Sequence, residues 1–178
     1  MVRPLLLIGA SIPVIFAVMI AIPMITNPQI PFTAANADDR IAIEFTKHQI
    51  KKISLGLTDR LMPQKTEIIT IDNDGQTKYL ATVDGTSQQA KTMVLEKSDV
   101  RRLTALVKET GFMQLPIDLI AADDEKTEYT KFSLKLTLNG HTRQMQWVEQ
   151  NATSTLIPPI LTQVESSLDL ILNKASSQ

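Results

Sequence analysis

The chain has 178 residues, 43% of them hydrophobic, and a formal net charge of −1. That length suits one domain with an appendage. The even charge balance, with no basic run, zinc-ligand spacing or glycine-rich phosphate loop, argues against a nucleic-acid partner. Cysteine is absent, which excludes disulfides, thiol catalysis and cysteine-based metal sites.

The N-terminus carries the cellular address. No charged residue occurs from Pro4 to Ala37, and Leu5–Ile25 is almost wholly apolar. As a helix that run spans about 31 Å, one hydrocarbon core. Arg3 precedes it and Asp38 and Asp39 follow, so the positive-inside rule places the N-terminus in the cytoplasm and the rest outside. Residues 1–26 read as an uncleaved transmembrane signal anchor. The alternative is a secreted form cleaved after Ala37, where Ala35-Asn36-Ala37 has the form of a cleavage site. Residues 27–40, with two prolines and no periodicity before Asp38, read as a stalk.

An extracytoplasmic domain occupies residues 41–178, best marked over 66–173. Ile41, Ile43 and Phe45 alternate with Ala42 and Glu44 as in a strand, but the apolar residues from Ile50 to Leu61 keep no single period. Glu67–Ile71 and Tyr79–Val83 read as strands around Asn73-Asp74-Gly75, a hairpin whose register the pattern leaves open. A two-residue Asp74-Gly75 loop sets Ile69 against Leu80 and Ile71 against Lys78, so neither face is cleanly apolar. Asp84-Gly85 turns again, Thr86–Ala90 is a polar connector, and Thr92–Leu95 is a short strand.

Ser98–Thr110 reads as a helix with Ser98 as N-cap, Asp99 in its first turn and Gly111 beyond its end. Val100, Leu103, Leu106 and Val107 form its apolar stripe. Met113–Lys126 is a long connection holding Asp118, Asp123, Asp124 and Glu125. Tyr129–Val148 then reads as a hairpin closed by Asn139-Gly140, which suits a type I′ turn. That loop pairs Phe132 with Trp147, Leu134 with Met145, Leu136 with Arg143 and Leu138 with His141. One face is apolar and the other carries Lys131, Ser133, Lys135, Thr137, Gln144 and Gln146. A last helix runs from Pro158 or Pro159 to about Asn173, its stripe being Ile160, Leu161, Val164, Leu168, Ile171 and Leu172. The expected fold is α+β, an antiparallel sheet of four to five strands with two helices on one face.

Few residues invite chemistry. Asp72 and Asp74 beside Gly75 lack the further oxygen ligands of a calcium loop and read as a turn. His48 and His141 have no metal partners at helical or strand spacing. Thr153-Ser154-Thr155 lacks a His–Asp context for nucleophile activation, and Asn151-Ala152-Thr153 is a glycosylation sequon. No catalytic set, cofactor site or metal site is expected. The candidate partner-binding residues are Asp123, Asp124 and Glu125 in a long loop, and Lys131 and Lys135 on the wet face of the hairpin, because long ordered loops tend to be functional.

The order of these signals resembles the emfourin-like family of small α+β domains, which includes inhibitors of thermolysin-type metalloproteases. The parts that carry the resemblance are Leu103…Leu106-Val107, Gly111-Phe112, Leu115-Pro116, Asp123-Asp124, Tyr129–Leu138, Asn139-Gly140 and Pro158–Leu172, over about 110 residues. Asn73-Asp74-Gly75 stands where that family has a glycine pair, and no binding residue is carried over. The resemblance implies a non-catalytic domain that inhibits or modulates an extracytoplasmic metalloprotease. The alternative is an accessory subunit of a membrane or envelope complex, held there by Leu5–Ile25.

Overall fold

A computed structural model describes residues 34–54 and 56–177. The expected anchor at Leu5–Ile25 lies outside them, and the described residues fall within one compact unit, Phe32–Gln178. Among the described residues no helix is long and apolar enough to cross a membrane. In chain order the elements are β1 (Ile41–Ser54), β2 (Asp59–Ile71), β3 (Gln76–Val83), β4 (Thr86–Ser87), β5 (Lys91–Val94), α1 (Lys97–Glu109), β6 (Glu128–Leu138), β7 (His141–Val148) and α2 (Pro159–Ser176). The fold is α+β, with two helices and one seven-stranded antiparallel sheet ordered β4-β3-β2-β1-β6-β7, β5 also pairing with β3.

The strand count exceeds the four to five expected because Ile41–Ser54 forms a full strand, β1, joined as a hairpin to a β2 that starts as early as Asp59, and because Thr86–Ser87, expected as part of a polar connector, pairs with β3 as β4. A register shift at Gln49/Ile50 breaks their alternation, and beyond Lys52 the hairpin extends past the other strands, so no inward face remains there to impose a period. β1 is the central strand, paired to β2 on one side and β6 on the other.

The Tyr129–Val148 hairpin has the expected register, from Leu138 opposite His141 to Phe132 opposite Trp147. Its turn is the expected one: Asn139 and Gly140 both have positive φ, 51° and 84°, as a type I′ turn requires. Phe132, Leu134, Leu136, Met145 and Trp147 are buried, together with Ile41, Ile43, Phe45, Ile69 and Ile71 from β1 and β2. Phe132 stacks between Phe45 and Trp147 at centroid distances of 6.1 and 5.6 Å. Each fully buried large apolar side chain of this layer contributes about 1.5–3 kcal/mol.

Both helices cover this face. Leu161, Val164, Leu168 and Leu172 of α2 are buried, as are Val100, Leu103, Leu106 and Val107 of α1. Polar bonds fix α2: Trp147 Nε1 donates to Glu165 Oε2 at 2.9 Å, and Lys47 Nζ donates to Asp169 Oδ2 at 2.7 Å.

Two local expectations are corrected. The β2–β3 loop holds four residues, with Asp72 N–H bonded to the Gln76 carbonyl, which sets Ile69 opposite Tyr79 and Ile71 opposite Thr77. The longer loop gives β3 a clean inward set of Thr77, Tyr79 and Ala81. Tyr79 donates to the buried Glu67 at 2.8 Å, and burial together with that carboxylate pushes its phenol up to about 12. The first helix starts two residues early, with Glu96 and not Ser98 at the N-cap position; the Ser98 hydroxyl instead donates to Glu96 Oε2 at 3.2 Å. The bond from Leu95 N–H to the Gly75 carbonyl ends β5 there and sets where the chain can turn.

The start of β1 is locked at the opposite end from its hairpin with β2. Asp39 accepts hydrogen bonds from Lys108 Nζ, Asn139 Nδ2 and the Asn36 N–H. Burial alone would raise its carboxyl, but these three donors outweigh it and hold the pKa below the usual range.

Candidate functional site

The strand residues that point away from the helices make an open face. Alternation on β6 places Tyr129, Lys131, Ser133, Lys135 and Thr137 there, and pairing adds rows across the sheet. One row runs Thr82, Thr66, His48, Lys131, Val148. His48 Nδ1 lies 2.9 Å from Thr66 Oγ1. Burial, and then the positive charge of Lys131, hold the imidazole pKa below its ordinary 6.5.

The long connection after α1 is not a free loop. A short 3-10 turn, Phe112–Gln114, buries Phe112. Arg143 clamps the stretch after that turn, its Nη2 donating to the Leu115 carbonyl and, at 2.9 Å, to Asp118 Oδ1. Gln146 N–H bonds to the Asp118 carbonyl and Ile120 N–H to the Gln146 carbonyl, so the segment runs beside β7 and covers its outer edge. Asp123 N–H reaches the Ala152 carbonyl, and Ser154 Oγ donates to Asp123 Oδ1 at 3.2 Å.

This ordered loop makes a cleft of about 360 Å³ on the open face. Tyr129, Lys131, Gln146 and Val148 come from the sheet, residues 119–124 and Lys126 from the loop, and Leu61 from β2. Of the five residues singled out from the sequence, Asp123, Asp124 and Lys131 meet here. Glu125 stands exposed in the adjoining turn, and Lys135 is exposed further along β6, roughly 13 Å from Lys131 at strand spacing. Lys126, Tyr129 and Leu61 join the cleft without a sequence signal; a lysine inside an acidic loop and an isolated leucine carry no pattern that marks them. Arg143 sits opposite Leu136 as expected, but nothing local signals its clamp, because its partners lie 25 to 28 residues away in sequence.

The second feature is a ribbon. Beyond Lys52, whose N–H bonds to the Thr127 carbonyl, β1 leaves β6, and before Gln64, whose carbonyl takes the Asp84 N–H, β2 has not yet met β3. Among the described residues of 53–63, each strand therefore pairs only with the other. Leu57 is fully exposed, Leu61 and Met62 are 48% and 40% exposed, and Lys52 pairs with Asp59 across the ribbon at 2.8 Å. Pro63 removes a donor from the β2 edge. Ile41, where the described chain enters β1, lies at the other end of that strand, roughly 40 Å from Ser54 at strand spacing.

His141 is exposed at the hairpin tip and Asn151 is exposed in a short 3-10 turn. Asp74 Oδ1 takes the Gln76 N–H, a bond within the turn. Among the described residues no group of three or more His, Asp or Glu side chains could hold a metal ion. Chemically, the cleft offers two cations, two carboxylates, a phenol and an amide over an apolar floor. That set suits binding by charge and shape.

Comparison with known protein families and with curated proteins finds no match for the chain.

Proposed function

We propose that the chain is a non-catalytic binding domain, held at the membrane by Leu5–Ile25 and displayed outside the cell, that inhibits or modulates an extracytoplasmic metalloprotease. The observation that carries this reading is the ribbon at 53–63. A two-stranded ribbon without flanking strands is stable only marginally by itself, and this one presents Leu57, Leu61 and Met62 to water. Large apolar side chains left exposed on a projection favour a partner that buries them. An extended segment also suits the cleft of a protease, where main-chain pairing supplies affinity and alternate side chains supply selectivity. The resemblance to emfourin-like inhibitors supports the partner's class.

The test is an inhibition assay with the full chain, purified in mild detergent, against thermolysin-type metalloproteases. Inhibition at micromolar protein is expected, and its absence against such enzymes overturns the protease assignment. The second reading, an accessory subunit of an envelope complex, rests on the apolar run Leu5–Ile25. Stable co-purification with other membrane proteins, without inhibition, favours it.

A further inference from the structure

The cleft beside the ribbon has a ligand chemistry of its own. Lys126 and Lys131 are half-buried in it, and neither ammonium makes a hydrogen bond or ion pair within the described residues. Most other half-buried lysines of the domain are paired: Lys47 with Asp169, Lys65 with Glu67 and Lys108 with Asp39. A partly desolvated, unpaired cation is costly, and two lining one cleft favour an anion between them. The nearby carboxylates do not meet this need. Asp123 is engaged by Ser154, and Asp124 stands exposed, unpaired within the described residues and able to accept an N–H from an incoming group.

The shape narrows the class. Tyr129 and Lys131 are alternate residues of one strand, so their side chains recur about 6.6 Å apart on the same face. That is the repeat with which an extended peptide presents its own side chains. The exposed Leu61 and Leu119, from opposite flanks of the cleft, offer apolar contacts for residues on either side of the anion.

We propose that this cleft seats an extended peptide segment of the partner carrying a carboxylate between apolar side chains. Lys126 and Lys131 bind the carboxylate, and Leu61 joins cleft and ribbon into one docking surface. The proposal rests on the binding-domain reading, but its test does not require a protease. The charge of Lys131 also acts on His48, so an anion seated there raises the imidazole pKa, which gives a second readout.

The experiment measures fluorescence anisotropy of three labelled peptides with the full chain in detergent. The first has one glutamate between two leucines, the second has glutamine in its place, and the third has lysine. The glutamate peptide is expected to bind about tenfold tighter than the glutamine peptide, and the lysine peptide weakest. Lys131→Glu and Lys126→Glu, each checked for unchanged circular dichroism, are each expected to weaken the glutamate peptide about tenfold or more. Leu57→Asp lies outside the cleft and is expected to leave peptide binding intact while raising the inhibition constant about tenfold or more, so failure of the cleft and failure of the ribbon are distinguishable. Equal binding of the three peptides, or tight binding that survives both lysine substitutions, overturns the proposal. Binding to phosphatidylglycerol vesicles through the same lysines, with no peptide bound, overturns it in favour of a lipid surface.

Discussion

His48 sits half-buried between Thr66 and Lys131 on the open face. Burial and the neighbouring ammonium both disfavour its imidazolium. A histidine whose pKa is depressed on folding adds stability above its unfolded pKa and loses it as pH falls from there through the lower folded pKa. NMR titration is expected to place His48 below 6.5 in the wild type. In Lys131→Met it should rise part of the way, because burial remains when the charge is removed. No change in Lys131→Met contradicts the assigned cause. Glu165 shows the opposite sign. Burial first, then Asp169 and Glu149, raise its carboxyl, and the Trp147 N–H and Lys47 only partly offset them. Folding therefore favours the protonated acid, and ionisation lowers stability as pH rises through the folded pKa. Glu165→Gln keeps an acceptor for Trp147 and is expected to raise Tm at pH 7, a gain that fades below about pH 4, where wild-type Glu165 is itself neutral. A gain equal at both pH values points to packing and not to charge.

Among the elements, the two main hairpins differ in how much of them could be read. In Tyr129–Val148 one face is apolar and the other polar at nearly every position, and Asn-Gly admits one tight turn, so the local signals agree with one register. In β2–β3 the inward set includes Glu67 and Thr77, polar residues that period-2 reading assigns to water. Their burial depends on Tyr79 Oη, on Lys65 Nζ and on the Gly75 carbonyl, which satisfy them. Turn space separates the same two hairpins. At Gly140 a Cβ would meet nothing within 4 Å, whereas at Gly75 it would lie 2.6 Å from the Leu95 carbonyl oxygen. Both positions have positive φ. Gly140→Ala is expected to cost about 1–2 kcal/mol for the left-handed backbone alone, and Gly75→Ala clearly more, because the bond joining the β2–β3 turn to β5 must give way. Urea unfolding of the two variants measures the difference, and equal costs contradict the close approach. The cleft was half legible: Asp123, Asp124 and Lys131 stood out by loop length and strand alternation. Their meeting depends on bonds to Ala152 and Gln146, long-range pairings that no local pattern signals.

For the whole molecule, the central strand was legible only at its start, where Ile41, Ile43 and Phe45 alternate, and not along its full length to Ser54. β1 holds β2 and β6 together and buries Ile41, Ile43 and Phe45. A fragment beginning at Thr66, where the sequence signals sharpen, lacks this strand and most of the core that faces it. Such a fragment is expected to show no cooperative thermal transition by circular dichroism, and a sharp transition contradicts the central role of β1. The same long strand carries the ribbon out of the sheet at one end and receives the chain at Asp39 at the other, which fixes the ribbon as a projection of a rigid frame. The central claim is that this projection engages the partner. The most direct measurement is the inhibition constant of the full chain against a thermolysin-type metalloprotease it inhibits, wild type against Leu57→Asp. An exposed position tolerates that change within about 0.5 kcal/mol of stability, so an unchanged Tm with an inhibition constant raised about tenfold or more is the predicted result. Unchanged inhibition by a folded Leu57→Asp protein would contradict it.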